Sequence, residues 1–377
     1  MSKQSGPTHF GPTYVRAIAP YQAGKPISEV AREFGLDEAS IVKLASNENP
    51  FGVPESAQQA MAKAAAELGR YPDANGFDLK QALAKRYDVP MEWITLGNGS
   101  NDILEIAAHA FVERNQAIVY SQYSFAVYAL ATQGVGARHI VVPAKNHGHD
   151  LDAMAAAIDA ETRLVFIANP NNPTGTFVSG PEIEAFLAKV PANVVVVLDE
   201  AYNEFLSHED QYESAEWVRK YPNLLVSRTF SKAYGLAGLR VGFGLAQPAL
   251  TDLMNRIRQP FNVNSLAQAA AIAALNDSAF LEKSAANNAA GYRQFVEAFE
   301  QMGLEYVPSH GNFILVKVGN DLAAGARVNL ALLKQGVIVR PVGNYGLPEW
   351  LRISIGLPQE NAVLITALQK ALAEDRG

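Results

Sequence analysis

The sequence predicts an α/β protein: a mostly parallel sheet flanked by helices on both faces, with a smaller α+β unit after it. Three observations carry this. Short apolar, β-branched runs alternate with stretches of helical composition through the middle of the chain. Runs such as "NVVVVLDE" (Asn193–Glu200) are continuously apolar rather than alternating, as strands buried on both faces are. At 377 residues the chain also exceeds the usual size of one core, which points to about two domains.

Taken in order, the first 45 residues read as an irregular arm lying on the smaller unit. "WITLGNGSNDILEIAAHAF" then gives a short strand, the turn Gly97-Asn98-Gly99-Ser100-Asn101, and an apolar helix from near Asp102. The runs "AIVY" (Ala117–Tyr120), "HIVVP" (His139–Pro143), "RLVFIANP" (Arg163–Pro170), Asn193–Glu200, "NLLVSRTF" (Asn223–Phe230) and "RVGFGLA" (Arg240–Ala246) follow as strands. Together they define a large domain over 46–262. Helical stretches at 248–259 and 265–302 come next. After them lie the strand-like "NFILVKV" (Asn312–Val318), "GVIVRPV" (Gly336–Val342) and "WLRISIG" (Trp350–Gly356), and a last helix over 359–374. The smaller domain is placed at 263–377.

Composition narrows the function. A 49% hydrophobic and 18% charged chain has enough apolar residues for a packed core. A net charge of −7 with interspersed signs argues against a nucleic-acid partner, which would call for a basic stripe. The absence of cysteine rules out disulfides, thiolate metal sites and a cysteine nucleophile. No apolar stretch reaches the length of a signal peptide core or a membrane span, so a cytoplasmic protein without membrane contact is expected. His147 and His149 lie in a polar loop without cysteine or H-E-x-x-H support, and no metal site is expected. Trp93, Trp217 and Trp350 have no spacing suited to base stacking and are assigned to packing.

Ligands of such sheets bind outside the carboxyl ends of the strands, so the closing residues matter most. The turn Gly97–Asn101 lets backbone approach an anion at a helix start, although Asp102 replaces the third glycine of a dinucleotide fingerprint. Asp199 closes a valine run and needs a partner if buried; Glu200 beside it evokes a nucleotide-hydrolase strand, but the chain has no G-x-x-x-x-G-K-[ST]. "NPNNPTG" (Asn169–Gly175) fixes an extended, rigid turn that presents Asn171 and Asn172. Lys232 follows the next strand, with Arg240 after a loop that can fold back on it. A desolvated lysine near cations becomes an amine nucleophile toward carbonyls. With the carboxylate, the asparagine and the phosphate cradle, these are the parts that hold pyridoxal 5′-phosphate.

The same segments resemble the fold-type I pyridoxal-phosphate aminotransferases, in their histidinol-phosphate aminotransferase branch. The resemblance runs through "KLASNENPFG" (Lys43–Gly52), "RYPD" (Arg70–Asp73), "LGNGSND", "NPNNPTG", "DEAY", "FSKAYGLAGLRVGF" and "LRISIG". It implies a large domain built on a mostly parallel seven-stranded sheet, and a homodimer with shared active sites. It implies Lys232 as the Schiff-base lysine, Asp199 as the carboxylate on the pyridine nitrogen, and Asn172 and Tyr202 on the ring's 3′-oxygen. Gly99, Ser100, Asn101, Ser231 and Arg240 would hold the cofactor phosphate, with Tyr71 from a second subunit, and Tyr123 would stack on the ring. Arg352 would meet the substrate's anionic group, with Arg340, Tyr21 and Asn47 as further substrate contacts. Two positions depart from the family's common pattern: Asn101 stands in place of aspartate, and Ser121 in place of proline.

The implied activity is ping-pong transfer of the amino group of histidinol phosphate to 2-oxoglutarate. An aromatic amino-acid aminotransferase is the close alternative, since "RPVGNYG" sets an aromatic residue near Arg340. A pyridoxal-phosphate decarboxylase or lyase stands behind it. A cofactor-binding regulator is set aside because the scaffold begins near the start of the chain and leaves no room for a DNA-binding domain.

Overall fold

The computed structural model describes residues 10–20 and 24–376. Its first eight strands are β1 (Val42–Lys43), β2 (Ile94–Gly97), β3 (Ala117–Ser121), β4 (Arg138–Val142), β5 (Thr162–Ala168), β6 (Val195–Asp199), β7 (Leu224–Thr229) and β8 (Gly242–Leu245). The last seven of these form one sheet in the order β2-β8-β7-β6-β5-β3-β4. From β4 to β7 every pairing is parallel, whereas β8 is antiparallel to both its neighbours. The β-branched runs suit this pleated, doubly covered surface. Alternate residues feed different cores: Val165, Ile167, Val196 and Leu198 pack on one face, while Leu164, Phe166 and Val197 pack on the other.

The second unit contains β9 (Tyr306–Val307), β10 (Phe313–Lys317), β11 (Val337–Ile338), β12 (Arg340–Val342) and β13 (Leu347–Ser354). Four of them make an antiparallel sheet in the order β12-β13-β10-β9, and β11 pairs in parallel with β1. Phe295, Phe299, Leu351, Ile353 and Leu368 form its core.

Two expectations are corrected. The first 45 residues are not simply irregular. Ile27–Phe34 is a helix closed by Gly35 at φ 68°, and its Val30 and Ala31 pack with Leu333 and Ile338 of the second unit. The stretch 265–302 is two helices, Ser265–Leu275 and Ser278–Met302, divided where the Asp277 side chain caps the second by accepting from the Phe280 N–H. Ala267, Ala270, Ala271 and Ala274 of the first helix are buried in the core of the large sheet, with Ala57. The helix Ser265–Leu275 thus packs with the large sheet, its alanine face being small enough for close approach.

Candidate active site

The sheet brings distant residues to one edge by register. Ala168 at the end of β5 lies opposite Asp199 at the end of β6, and Asp199 lies opposite Ser227 of β7. Because β8 runs the other way, its start lies at this edge, with Gly242 opposite both Thr229 and Gly97. Arg240, just before β8, thus meets the Gly97–Asn101 turn and the Ser231–Lys232 segment.

These ends wall a cavity of about 440 Å³. Ser100, Asn101, Asn172, Asp199, Tyr202, Ser231, Lys232 and Arg240 line it from the large unit, joined by Asn47, Arg340 and Arg352. Eleven expected residues are therefore gathered in one place. Asp199 is buried; its Oδ2 accepts from the Tyr128 hydroxyl at 2.9 Å, while Oδ1 has no partner among the described residues. Burial pushes this carboxyl up to about 7. Lys232 Nζ donates to the carbonyl of Ser46 at 3.0 Å. Lost hydration, then the nearby charge of Arg352, brings its amine down to about 7.

The Tyr202 hydroxyl accepts from Asn47 Nδ2 at 3.0 Å and Asn172 Nδ2 at 3.2 Å, and burial raises its pKa to about 12, so it stays protonated. Arg240 Nη1 donates to Ser231 Oγ at 3.1 Å beside the start of the helix Ser100–Phe111, which has no side-chain cap. This corner needs glycine. Gly99 has φ 84°, and a Cβ there would lie 2.4 Å from Arg240 Nη2; one on Gly242 would lie 2.5 Å from the Ser100 nitrogen. On the opposite wall Arg352 is buried, donating to Asn172 Oδ1 at 2.5 Å and to the Ala45 carbonyl at 2.8 Å. Arg340 on β12 is its register partner across the ladder.

Other expected residues go elsewhere. Tyr123 sits at φ 55°, and its ring packs with Val307, Val342, Leu347 and Trp350 and lies 5.9 Å from the ring of His147. It is absent from the cavity wall, where Phe125 stands instead. Asn171 turns into its own loop, donating to the Tyr123 carbonyl and to Thr174 Oγ1. Tyr71 is exposed and stacked on Phe261 at 4.7 Å, outside the cavity of its own chain. Tyr21 lies outside the described residues. Asp102, in place of a fingerprint glycine, accepts from the Asn98 N–H and from Asn262 Nδ2, both at 2.8 Å. Glu200 faces away from the cavity and is held by Arg228 and Ser214 Oγ. His149 donates Nε2–H to the Ala168 carbonyl at 2.8 Å.

Sequence reasoning missed Tyr128, Phe125, Tyr345 and Lys43. The last three line the cavity, and Tyr128 touches Asp199 from behind. The aromatic run "YSFAVY" hinted at two of them, and "RPVGNYG" pointed to Tyr345 as the aromatic near Arg340.

The donor set fits pyridoxal phosphate: an amine for its aldehyde, a carboxylate oxygen without a partner for its pyridine nitrogen, and a glycine-walled corner of serine and arginine for its phosphate.

The family model of aminotransferases of class I and II matches residues 39–368. The chain belongs to that family. The match extends from just before β1 into the last helix, so it takes in both walls of this aminotransferase's cavity. Histidinol-phosphate aminotransferase 1 of Cupriavidus pinatubonensis is 73% identical to it over 370 residues, covering 98% of each chain. Histidinol-phosphate aminotransferase 2 of Ralstonia nicotianae is 72% identical over 365 residues, covering 97% of this aminotransferase and 98% of the relative. Among solved structures, the histidinol-phosphate aminotransferase of Sinorhizobium meliloti in complex with pyridoxal-5′-phosphate superposes with a TM-score of 0.90 at 29% identity, covering 98% of this chain and 99% of that one.

Proposed function

We propose that this aminotransferase uses pyridoxal phosphate to move the amino group of histidinol phosphate to 2-oxoglutarate, a step of histidine biosynthesis. The relatives' names support the substrate. The observation that carries the reading is the placement of Arg340 and Arg352 directly opposite one another on β12 and β13, both on the cavity wall. Like charges so placed repel; a phosphate or carboxylate between them reverses the sign, and a planar guanidinium grips either anion in a bidentate manner. Arg240 and Ser231 form a separate anion corner for the cofactor, so the cavity can hold two anionic groups at once.

When bound, the cofactor supplies a sink for the electron pair left as the substrate's Cα loses its proton. Asp199 would hold the cofactor's ring nitrogen and keep it protonated, which makes the sink effective. Lys232, with a pKa near 7, has a large neutral fraction at physiological pH, and once displaced by the incoming amine it carries the proton between Cα and the cofactor's C4′. Tyr202 and Asn172, both on the cavity wall, would hold the ring's 3′-oxygen by hydrogen bonds. Return of the same steps with 2-oxoglutarate completes a ping-pong cycle.

The reading includes a cytoplasmic homodimer in which Tyr71 completes the partner's cofactor-phosphate site. Its support is the exposed apolar group of Leu68, Tyr71, Phe77 and Phe261 in this chain. No helix among the described residues is long and apolar enough to cross a membrane.

The test is a half-reaction panel, in which holoenzyme is mixed with one amino donor at a time and bleaching of the cofactor's visible absorbance is followed. Histidinol phosphate should bleach it far faster than phenylalanine or tyrosine; equal or faster bleaching by phenylalanine rejects the substrate assignment in favour of an aromatic one. For the shared site, inactive Tyr71→Ala and Lys232→Ala chains refolded together should recover up to about a quarter of wild-type activity, because random pairing leaves one native site in each mixed dimer. Mixed dimers without activity would place both residues in single-chain sites.

A further inference from the structure

We propose that Tyr128 is a positioning residue for Asp199, its hydroxyl holding one carboxylate oxygen so that the other faces the cavity. The inference rests on the pyridoxal-phosphate reading above and assigns a role to a residue that never touches the ligand. Tyr128 lies on the helix Ala126–Gly134, behind β5 and β6, and has no accessible surface. Its ring stacks on Phe166 of β5 at 4.6 Å and 5°, and meets the edge of Phe125 at 6.0 Å and 90°. Packing therefore fixes the ring, and with it the phenolic oxygen.

A buried phenol without a hydrogen bond is unfavourable, and the partner of this one is Asp199 Oδ2, at 2.9 Å. Burial holds the phenol's pKa well above its ordinary value, so it remains the donor. Two other groups act on the carboxylate: the adjacent Glu200 and the N–H of Ala201. Burial and Glu200 disfavour its charge and the Ala201 N–H favours it, so Tyr128 is the side chain that favours the ionised form. The geometry divides the carboxylate's work. Oδ2 is anchored from behind the sheet, and Oδ1 of the same cavity-lining residue is left without a hydrogen-bond partner among the described residues.

Tyr128→Phe keeps the stacked ring and deletes only the donor. The experiment titrates cofactor-free wild type, Tyr128→Phe, Asp199→Asn and the double variant with pyridoxal phosphate by absorbance, and measures kcat and KM for the amino donor at saturating cofactor. Loss of a hydrogen bond to a charged group is expected to weaken cofactor binding by about 10- to 100-fold, with kcat falling and KM unchanged because Tyr128 does not meet substrate. In the Asp199→Asn background the same substitution should change cofactor affinity by less than about 3-fold, since its effect passes through the carboxylate. A Tyr128→Phe protein that melts like wild type and binds cofactor equally well would overturn the proposal. An equal loss in both backgrounds would also overturn it, by showing that the ring merely packs. Failure of wild type to bind pyridoxal phosphate would instead reject the cofactor reading itself.

Discussion

Asp199 and Glu200 are consecutive, both are buried, and they have opposite fates. Glu200 turns away from the cavity, and its Oε2 takes Arg228 Nε at 2.9 Å, Arg228 Nη2 at 2.7 Å and Ser214 Oγ at 2.9 Å, with Glu204 on the far side of the same arginine. Each carboxylate has a second oxygen, Glu200 Oε1 and Asp199 Oδ1, without a hydrogen-bond partner among the described residues, but Asp199 lies on the cavity wall and its side-chain partner is the neutral hydroxyl of Tyr128. The first is a structural charge, neutralised within the protein. The second has no basic side chain among its hydrogen-bond partners. A buried carboxylate without a cationic partner is unfavourable in the empty protein, and its place on the wall of a cavity that also holds Lys232, Arg240, Arg340 and Arg352 suits a charged ligand.

The largest effect that tests this contrast belongs to Lys232, on the cavity side. Lys232→Ala should lose about 10²- to 10⁴-fold in turnover from the proton-transfer role alone, and borohydride reduction should no longer fix the cofactor to the 227–240 peptide. Cofactor should still bind without a covalent link through Asp199 and Arg240. Borohydride labelling of a different lysine in wild type would sink the assignment.

Next comes a crossover between the two carboxylates. Asp199→Asn should drop turnover at least about 100-fold while the cofactor-free protein melts no lower than wild type, because the substitution removes a poorly solvated charge. Glu200→Gln should do the reverse: a loss of about 3 kcal/mol in stability, the low end for a broken buried ion pair because Glu204 remains on Arg228, with cofactor affinity changed little in the folded fraction. Turnover and urea midpoints for both variants check this. Similar profiles for the two would erase the distinction between structural and ligand-facing charge.

The sequence made the ligand-facing side more legible than its supports, and the reason is physical. Asp199 ends a valine-rich strand, and Asn172 and Lys232 lie in the short turns just past the strands that end at Ala168 and Thr229, so knowing the strand end locates the side chain. The fold-level reading held for the same reason, since strands buried on two faces are continuous apolar runs. Tyr128 was hidden because its partner is 71 residues away and comes near only through packing of a helix behind the sheet. Tyr123 was misplaced because a left-handed backbone at φ 55° turns its ring toward Trp350, leaving Phe125 on the wall. The helix break at Asn276–Asp277 was obscured by helical composition on both sides, with one aspartate cap as the only signal.

The smallest expected effect is on stability, and it separates the two titrating groups of the cavity by sign. Asp199 has its folded pKa raised from 3.8 to about 7, so between about pH 4 and 7 the folded, cofactor-free protein binds more protons than the unfolded chain, and stability falls as pH rises. Lys232 has its folded pKa lowered from 10.5 to about 7, so between about pH 7 and 10.5 the unfolded chain binds more protons, and stability rises with pH. The two contributions make a valley near pH 7, where the empty cavity is least stable. Urea midpoints of cofactor-free protein from pH 4 to 10 should show that Asp199→Asn removes the falling limb relative to wild type, and that Lys232→Ala removes the rising one. Curves for the variants that parallel wild type throughout would mean that neither group titrates in the cavity, and that the contrast with Glu200 does not lie in an unpaired charge.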